Sequence, residues 1–129
     1  HGNRPWPIGI RDPRHRDQVL AVVALRDGEA IVTSGDYERF FRYQGRRYHH
    51  LLDPATGRPA RAARQATVLG PRATEADAWS TALFVAGTAG LDRLGASQPA
   101  LVIDDAGRAH ANPAMDGRLD WRSKEIEEP

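Results

Sequence analysis

The sequence predicts an α+β fold, a mostly antiparallel sheet of hairpins with one main helix packed on a face. Three observations predict it. Short apolar runs recur between turns rich in Gly, Pro and Asp, as strands joined by hairpins require. One stretch, Thr74 to Leu94, carries its apolar residues at helical spacing instead. No internal repeat, linker or low-complexity block divides the 129 residues, a length that suits one domain, so residues 1–129 are expected to form a single one.

Trp6 to Ile10 reads as a short strand, and Pro7, which cannot donate to a ladder, assigns it to a sheet edge or a strand start. Arg11 to Asp17 is loop. Gln18 to Leu25 reads as a buried strand, Asp27-Gly28 as a hairpin turn, and Glu29 to Ser34 as the partner strand. Glu38 to Tyr43 alternates aromatic with charged residues, Gln44-Gly45 turns, and Arg46 to Leu52 returns, which makes a second hairpin. Asp53-Pro54 and Thr56-Gly57 with Pro59 predict a rigid loop. Gln65 to Leu69 is a further strand. In the helix, Thr74 is the expected cap and Ala76, Trp79, Leu83, Phe84 and Ala86 the expected apolar stripe, with a break at Gly87 and Gly90. Pro99 to Asp104 and Arg108 to Ala111 predict a last hairpin, followed from Asp116 by a polar tail that ends acidic.

Composition narrows the chemistry. Without cysteine there is no thiolate nucleophile, disulfide or zinc-thiolate site. The longest apolar run is strand-sized, well short of the roughly 20 residues that cross a bilayer, so a soluble chain is expected. It opens at His1 with no recognisable leader, which leaves targeting unread. A net charge of +1 argues against bulk attraction to polyanions, and few aromatics accompany the arginines, so no nucleic acid is expected as partner. Seven arginines against the single acid Asp53 nevertheless crowd residues 39–64. A solvated basic face accounts for most of them, and one or two are candidates for bidentate contact with a phosphorylated ligand.

The candidate site gathers around residues 33–59. Asp77 and Thr81 stand four apart on the predicted helix, so a carboxylate and a hydroxyl share one side of it. Such hard oxygen donors suit Mg²⁺, although Asp near a helix start is explained as economically by the helix dipole and capping. Strand alternation puts His49 and His50 on opposite faces, and His50 is the candidate because Asp53 and the rigid turn follow it. A hydrogen-bonded structural histidine remains the plainer reading. His15 and His110 read as surface residues. Ser34-Gly35-Asp36 is a turn, or a turn that offers an amide and a hydroxyl to an anion.

The succession PWPIGIRDPR, IVTSGDYERFF, GRRYHHLLDPATGRPA, TVLGP and EADAWSTALFVAG resembles, in order over Trp6 to Gly90, the carboxy-terminal portion of the FAD:protein FMN transferases, the ApbE family. The resemblance implies an enzyme that uses Mg²⁺ to split the diphosphate of FAD and move FMN onto a threonine of an acceptor flavoprotein, releasing AMP. It implies Asp77 and Thr81 as metal ligands with Ser80 close by, and His50 as the active-site histidine. Leu52 matches an apolar position of the FAD pocket, Ser34 and Gly35 are expected near the flavin nucleotide, and Asp53 closes the same motif. The family's amino-terminal half, which supplies much of that pocket, is expected to come from another segment or chain. Passage of FMN to water, as an FAD diphosphatase, and a non-catalytic flavin-binding module are the other readings. The resemblance is compatible with a membrane-associated or extracytoplasmic location and with a cytoplasmic one.

Overall fold

Two strands are buried along almost their whole length, and the rest of the architecture explains why. The computed structural model describes residues 4–95 and 97–122. In chain order these form β1 (Trp6–Arg11), β2 (Val19–Leu25), β3 (Ala30–Gly35), β4 (Phe40–Tyr43), β5 (Arg46–His49), β6 (Leu52–Asp53), β7 (Arg58–Pro59) and β8 (Ala63–Gly70). Then follow α1 (Ala73–Ala86), a 3₁₀ helix (Gly87–Leu94), β9 (Ala100–Asp104), β10 (Ala109–Ala111), α2 (Pro113–Asp116) and β11 (Leu119–Trp121). A four-stranded antiparallel sheet runs β10-β9-β8-β3, and a three-stranded one runs β1-β2-β11.

The four-stranded sheet is the middle layer. Alternation sends Ala66, Val68, Ala100 and Val102 to one face, where they meet Ala76, Leu83 and Phe84 of α1. Leu69, Leu101 and Ile103 go to the other face and pack on Ile10, Leu20 and Val23 of the three-stranded sheet, with Met115 beside them. Strands β8 and β9 therefore have no solvent face, which is why TVLG and ALVID lack the polar alternation of a half-exposed strand. A bulge between Ala63 and Gln65 shifts the register and turns Ala63 back into the helix-side core.

Much of the expected order holds. Pro7 lies on an edge strand, β4 and β5 form the second hairpin, β9 and β10 the last one, and the helix breaks at Gly87. Four expectations are corrected. The Asp27-Gly28 turn exists but makes no hairpin, because both edges of β2 are taken by β1 and β11, and β3 pairs with β8 in the other sheet. It is a corner between layers. Thr74 does not cap α1: the chain passes from the end of β8 through Pro71 directly into a helix whose cap position is Arg72, with no side-chain cap bond. Trp79, 41% exposed, and Ala86 flank the buried stripe, which consists of Ala76, Ser80, Leu83 and Phe84. Lastly, the polar tail contains a strand, β11, held in place after Asn112 caps α2 by accepting the Met115 amide at 3.1 Å. The tail's acidic end lies outside the described residues.

The corner is pinned by Arg118, whose two terminal nitrogens donate to the two Glu29 carboxylate oxygens at 2.7 Å each, and one of them also to Ala24 O. The Arg118 bond holds the Glu29 carboxyl below its ordinary value of 4.5. A depressed carboxyl stabilises the fold above its unfolded value and loses that contribution as pH falls through the lower folded one. Arg118→Ala is expected to lower stability at pH 7 by about 1.5 to 3 kcal/mol. Urea titrations of both proteins should converge once the pH is well below 4.5; a gap that persists in acid would assign the effect to packing.

Candidate functional site

Strand β3 ends against the helix, and the parity of its residues decides what meets what. Val32 points to the helix-side core, so Ser34, two residues on, points the same way, while Thr33 faces the other layer and bonds Thr67 at 2.8 Å. Ser34 Oγ thereby reaches α1, lying 2.8 Å from Ser80 Oγ and 3.3 Å from Thr81 Oγ1. Ser80 is fully buried and its hydroxyl donates to the Asp77 carbonyl at 2.9 Å. Three hydroxyls from two distant stretches, TSGDY and DAWST, thus touch.

Asp77 is the fifth residue of α1, past the first turn, so the capping explanation no longer accounts for it; Glu75 occupies the first turn and pairs with Arg72. Its side chain is exposed and makes no hydrogen bond or ion pair among the described residues. Thr81, one turn on, is exposed too. No group of three His, Cys, Asp or Glu side chains able to hold a metal ion occurs among the described residues. What the chain offers is one carboxylate and one hydroxyl on one side of a helix, with other positions left to water or ligand oxygens. That donor set fits Mg²⁺, which keeps several waters and takes few protein ligands, and does not fit zinc.

The histidine pair divides as alternation requires. His49 faces inward, edge-on to Phe84 with ring centroids 5.4 Å apart. Its Nδ1 accepts the Leu51 amide at 3.3 Å, so the proton sits on Nε2, which donates to Ala60 O at 2.9 Å. Burial holds this imidazole below the usual histidine value. Both nitrogens are committed, and His49 ties β5 to the chain after β7. His50 is exposed, with Nδ1 3.3 Å from Arg39 O, a group that only accepts. That places the proton on Nδ1 and leaves Nε2 an acceptor without a partner among the described residues.

The remaining candidates fall in several places. Leu52, 53% exposed, directly follows the hairpin and pairs with Pro59. Asp53 is spent on the turn: its Oδ1 accepts the Ala55 amide at 2.9 Å and its carbonyl the Gly57 amide at 2.8 Å. Gly35 is needed for packing, since a Cβ there would fall 2.6 Å from the Tyr37 ring. That ring is buried, burial pushes its phenol up to about 12, and it donates to Gln65 Oε1 at 2.9 Å. Asp36 pairs with Arg47. Arg46, Arg47, Arg61 and Arg64 line a cleft of about 560 Å³ that includes His49 but not His50, Asp77 or Thr81. His110, expected at the surface, is half-buried and lies 2.9 Å from an Asp104 carboxylate oxygen. Nothing local to β3 predicts the contact of Ser34 with α1; the parity of the strand is the signal, and it needs the strand's partner to be known.

Known proteins resemble this arrangement closely. The chain is 43% identical over 93% of its length to an FAD:protein FMN transferase of Rhodobacter capsulatus, spanning 23% of that protein. It is 51% identical over 64% of its length to one of Treponema pallidum, again 23% of that protein. Among solved structures it matches the ApbE protein of Thermotoga maritima at 40% identity and a TM-score of 0.83, covering 95% of this chain and 40% of that one. The flavin transferase ApbE of Vibrio cholerae matches at 35% identity and a TM-score of 0.72, with 89% and 38% covered. The chain thus spans well under half the length of these relatives. The sequence model of the ApbE family itself matches residues 1–102, and with the fold and motifs above this chain belongs to that family.

Proposed function

We propose that the chain carries the metal-binding helix and the histidine hairpin of an enzyme that transfers the FMN moiety of FAD to a threonine of an acceptor flavoprotein, releasing AMP. The observation that carries this reading is the exposed Asp77 carboxylate, unpaired among the described residues, one helical turn from Thr81, whose hydroxyl meets Ser34. The names of the relatives supply the reaction class. Asp77 and Thr81 would hold Mg²⁺, with Ser80 behind them; when bound, the ion would supply charge neutralisation at the diphosphate and polarisation of phosphorus. His50, its Nδ1 anchored on Arg39 O, presents Nε2 to take the proton of the attacking hydroxyl. Leu52 offers apolar surface to the flavin nucleotide next to it, and Asp53 keeps the turn that fixes the hairpin's end. The other walls of the FAD pocket come from the remainder of a longer protein or from another chain.

The test is incubation of the intact protein with FAD, Mg²⁺ and an acceptor flavoprotein, followed by mass spectrometry of the acceptor. FMN is expected on a threonine with stoichiometric AMP, and Asp77→Ala is expected to slow transfer by about 100-fold or more. AMP and free FMN without acceptor modification would make the protein a diphosphatase. Flavin binding with no turnover, under conditions where a proven transferase works, would leave only a binding module.

A further inference from the structure

The hydrogen bonds of Ser34 have directions that follow from the helix backbone. A backbone carbonyl only accepts, so the Ser80 hydroxyl spends its single proton on Asp77 O. The Ser34 hydroxyl, 2.8 Å away, must then donate to Ser80 Oγ. Having no second proton, Ser34 can only accept from Thr81 Oγ1 at 3.3 Å. The chain of donors runs Thr81 to Ser34 to Ser80 to Asp77 O, and its end is fixed by the helix backbone. Its consequence lies at the start: the Thr81 proton is drawn inward toward β3, and the oxygen lone pairs face outward.

A neutral hydroxyl can bind a cation only through a lone pair, with its proton directed away. We propose that Ser34 is a positioning residue that presets the Thr81 hydroxyl for a divalent cation shared with Asp77. The inference rests on the metal reading of Asp77 and Thr81. Partners that orient metal ligands in this way typically account for 10- to 100-fold in affinity. The same strand parity that packs Val32 against the helix-side core delivers Ser34 to the helix, so the preset comes from the sheet register.

Binding of Mn²⁺ alone, read by the electron paramagnetic resonance of the free ion with the intact protein and no FAD, tests this without turnover. Ser34→Ala is expected to weaken Mn²⁺ binding about 10- to 100-fold, and Ser34→Thr, which keeps the hydroxyl, to restore it. If Ser34→Ala is too unstable to titrate, Ser80→Ala approaches from the other side. Without its acceptor, Ser34 is free to donate to Thr81, and binding should again weaken. Unchanged Mn²⁺ binding in Ser34→Ala alongside its loss in Asp77→Ala would overturn the role of Ser34 and leave the metal site standing. Unchanged binding in Asp77→Ala would remove both. Weakened FAD binding in Ser34→Ala at undiminished Mn²⁺ affinity would make Ser34 a nucleotide contact and also overturn the proposal.

Discussion

Truncating Phe84 to alanine is expected to lower the free energy of unfolding by roughly 3 to 5 kcal/mol, read as a lower denaturant midpoint at unchanged slope. Phe84 is fully buried and is the largest side chain of the helix-side core, where it joins Leu83 and Ala76 to Ala66, Val68 and Val102. Its ring also receives the edge of His49, so one side chain supports both the helix that bears Asp77 and the hairpin that bears His50. The variant should therefore show a second change. In the parent, burial keeps His49 below 6.5, so the unfolded chain takes up a proton more readily and stability falls as the pH drops below that value. With the ring removed, His49 gains water, its titration by NMR moves toward 6.5, and that acid dependence flattens. A loss under about 1 kcal/mol would mean that the core closes over the gap.

Gly87→Ala is expected to cost a similar amount by a different route. Gly87 ends α1 with φ 66° and ψ −152°, a region open essentially to glycine alone, and its amide donates back to Leu83 O. An added Cβ would lie 2.8 Å from Ala62 Cβ and 3.1 Å from Ala62 O. Backbone strain contributes about 1 to 3 kcal/mol and overpacking against the main chain about as much again. Thermal unfolding should show the combined loss. Gly28→Ala, also at positive φ but in open space, is expected to cost less, because it meets no neighbouring atom. Equal losses at the two positions would show that the chain near Ala62 yields freely.

The turn chemistry was legible in the sequence, but pairing was only partly so. Gln44-Gly45 closes its hairpin as expected, whereas Asp27-Gly28, an equally strong local signal, joins strands that do not pair with each other. A turn fixes the direction of the chain, and competition for sheet edges fixes the partner. Trp79 departs from the expected stripe for a related reason: periodicity ranks residues by polarity, and here a buried serine, Ser80, is satisfied by the helix carbonyl and a strand hydroxyl while the tryptophan faces outward. The site residues came from motif resemblance; spacing alone left Asp77 between a cap and a ligand. Its position past the first turn removed the cap, and that position depended on where the helix began. The hydroxyl chain was out of reach because it joins residues 46 and 47 apart.

The placement of β2 governs how the chain can assemble during synthesis. Its partners are β1, made just before it, and β11, whose Trp121 pairs with Ala21 a hundred residues upstream. As the ribosome delivers the chain, β2 must wait with one hydrogen-bonding edge bare until the hundred residues between Ala21 and Trp121 have emerged. Closing so long a loop is slow, and an unpaired apolar edge in the interval invites association between nascent chains.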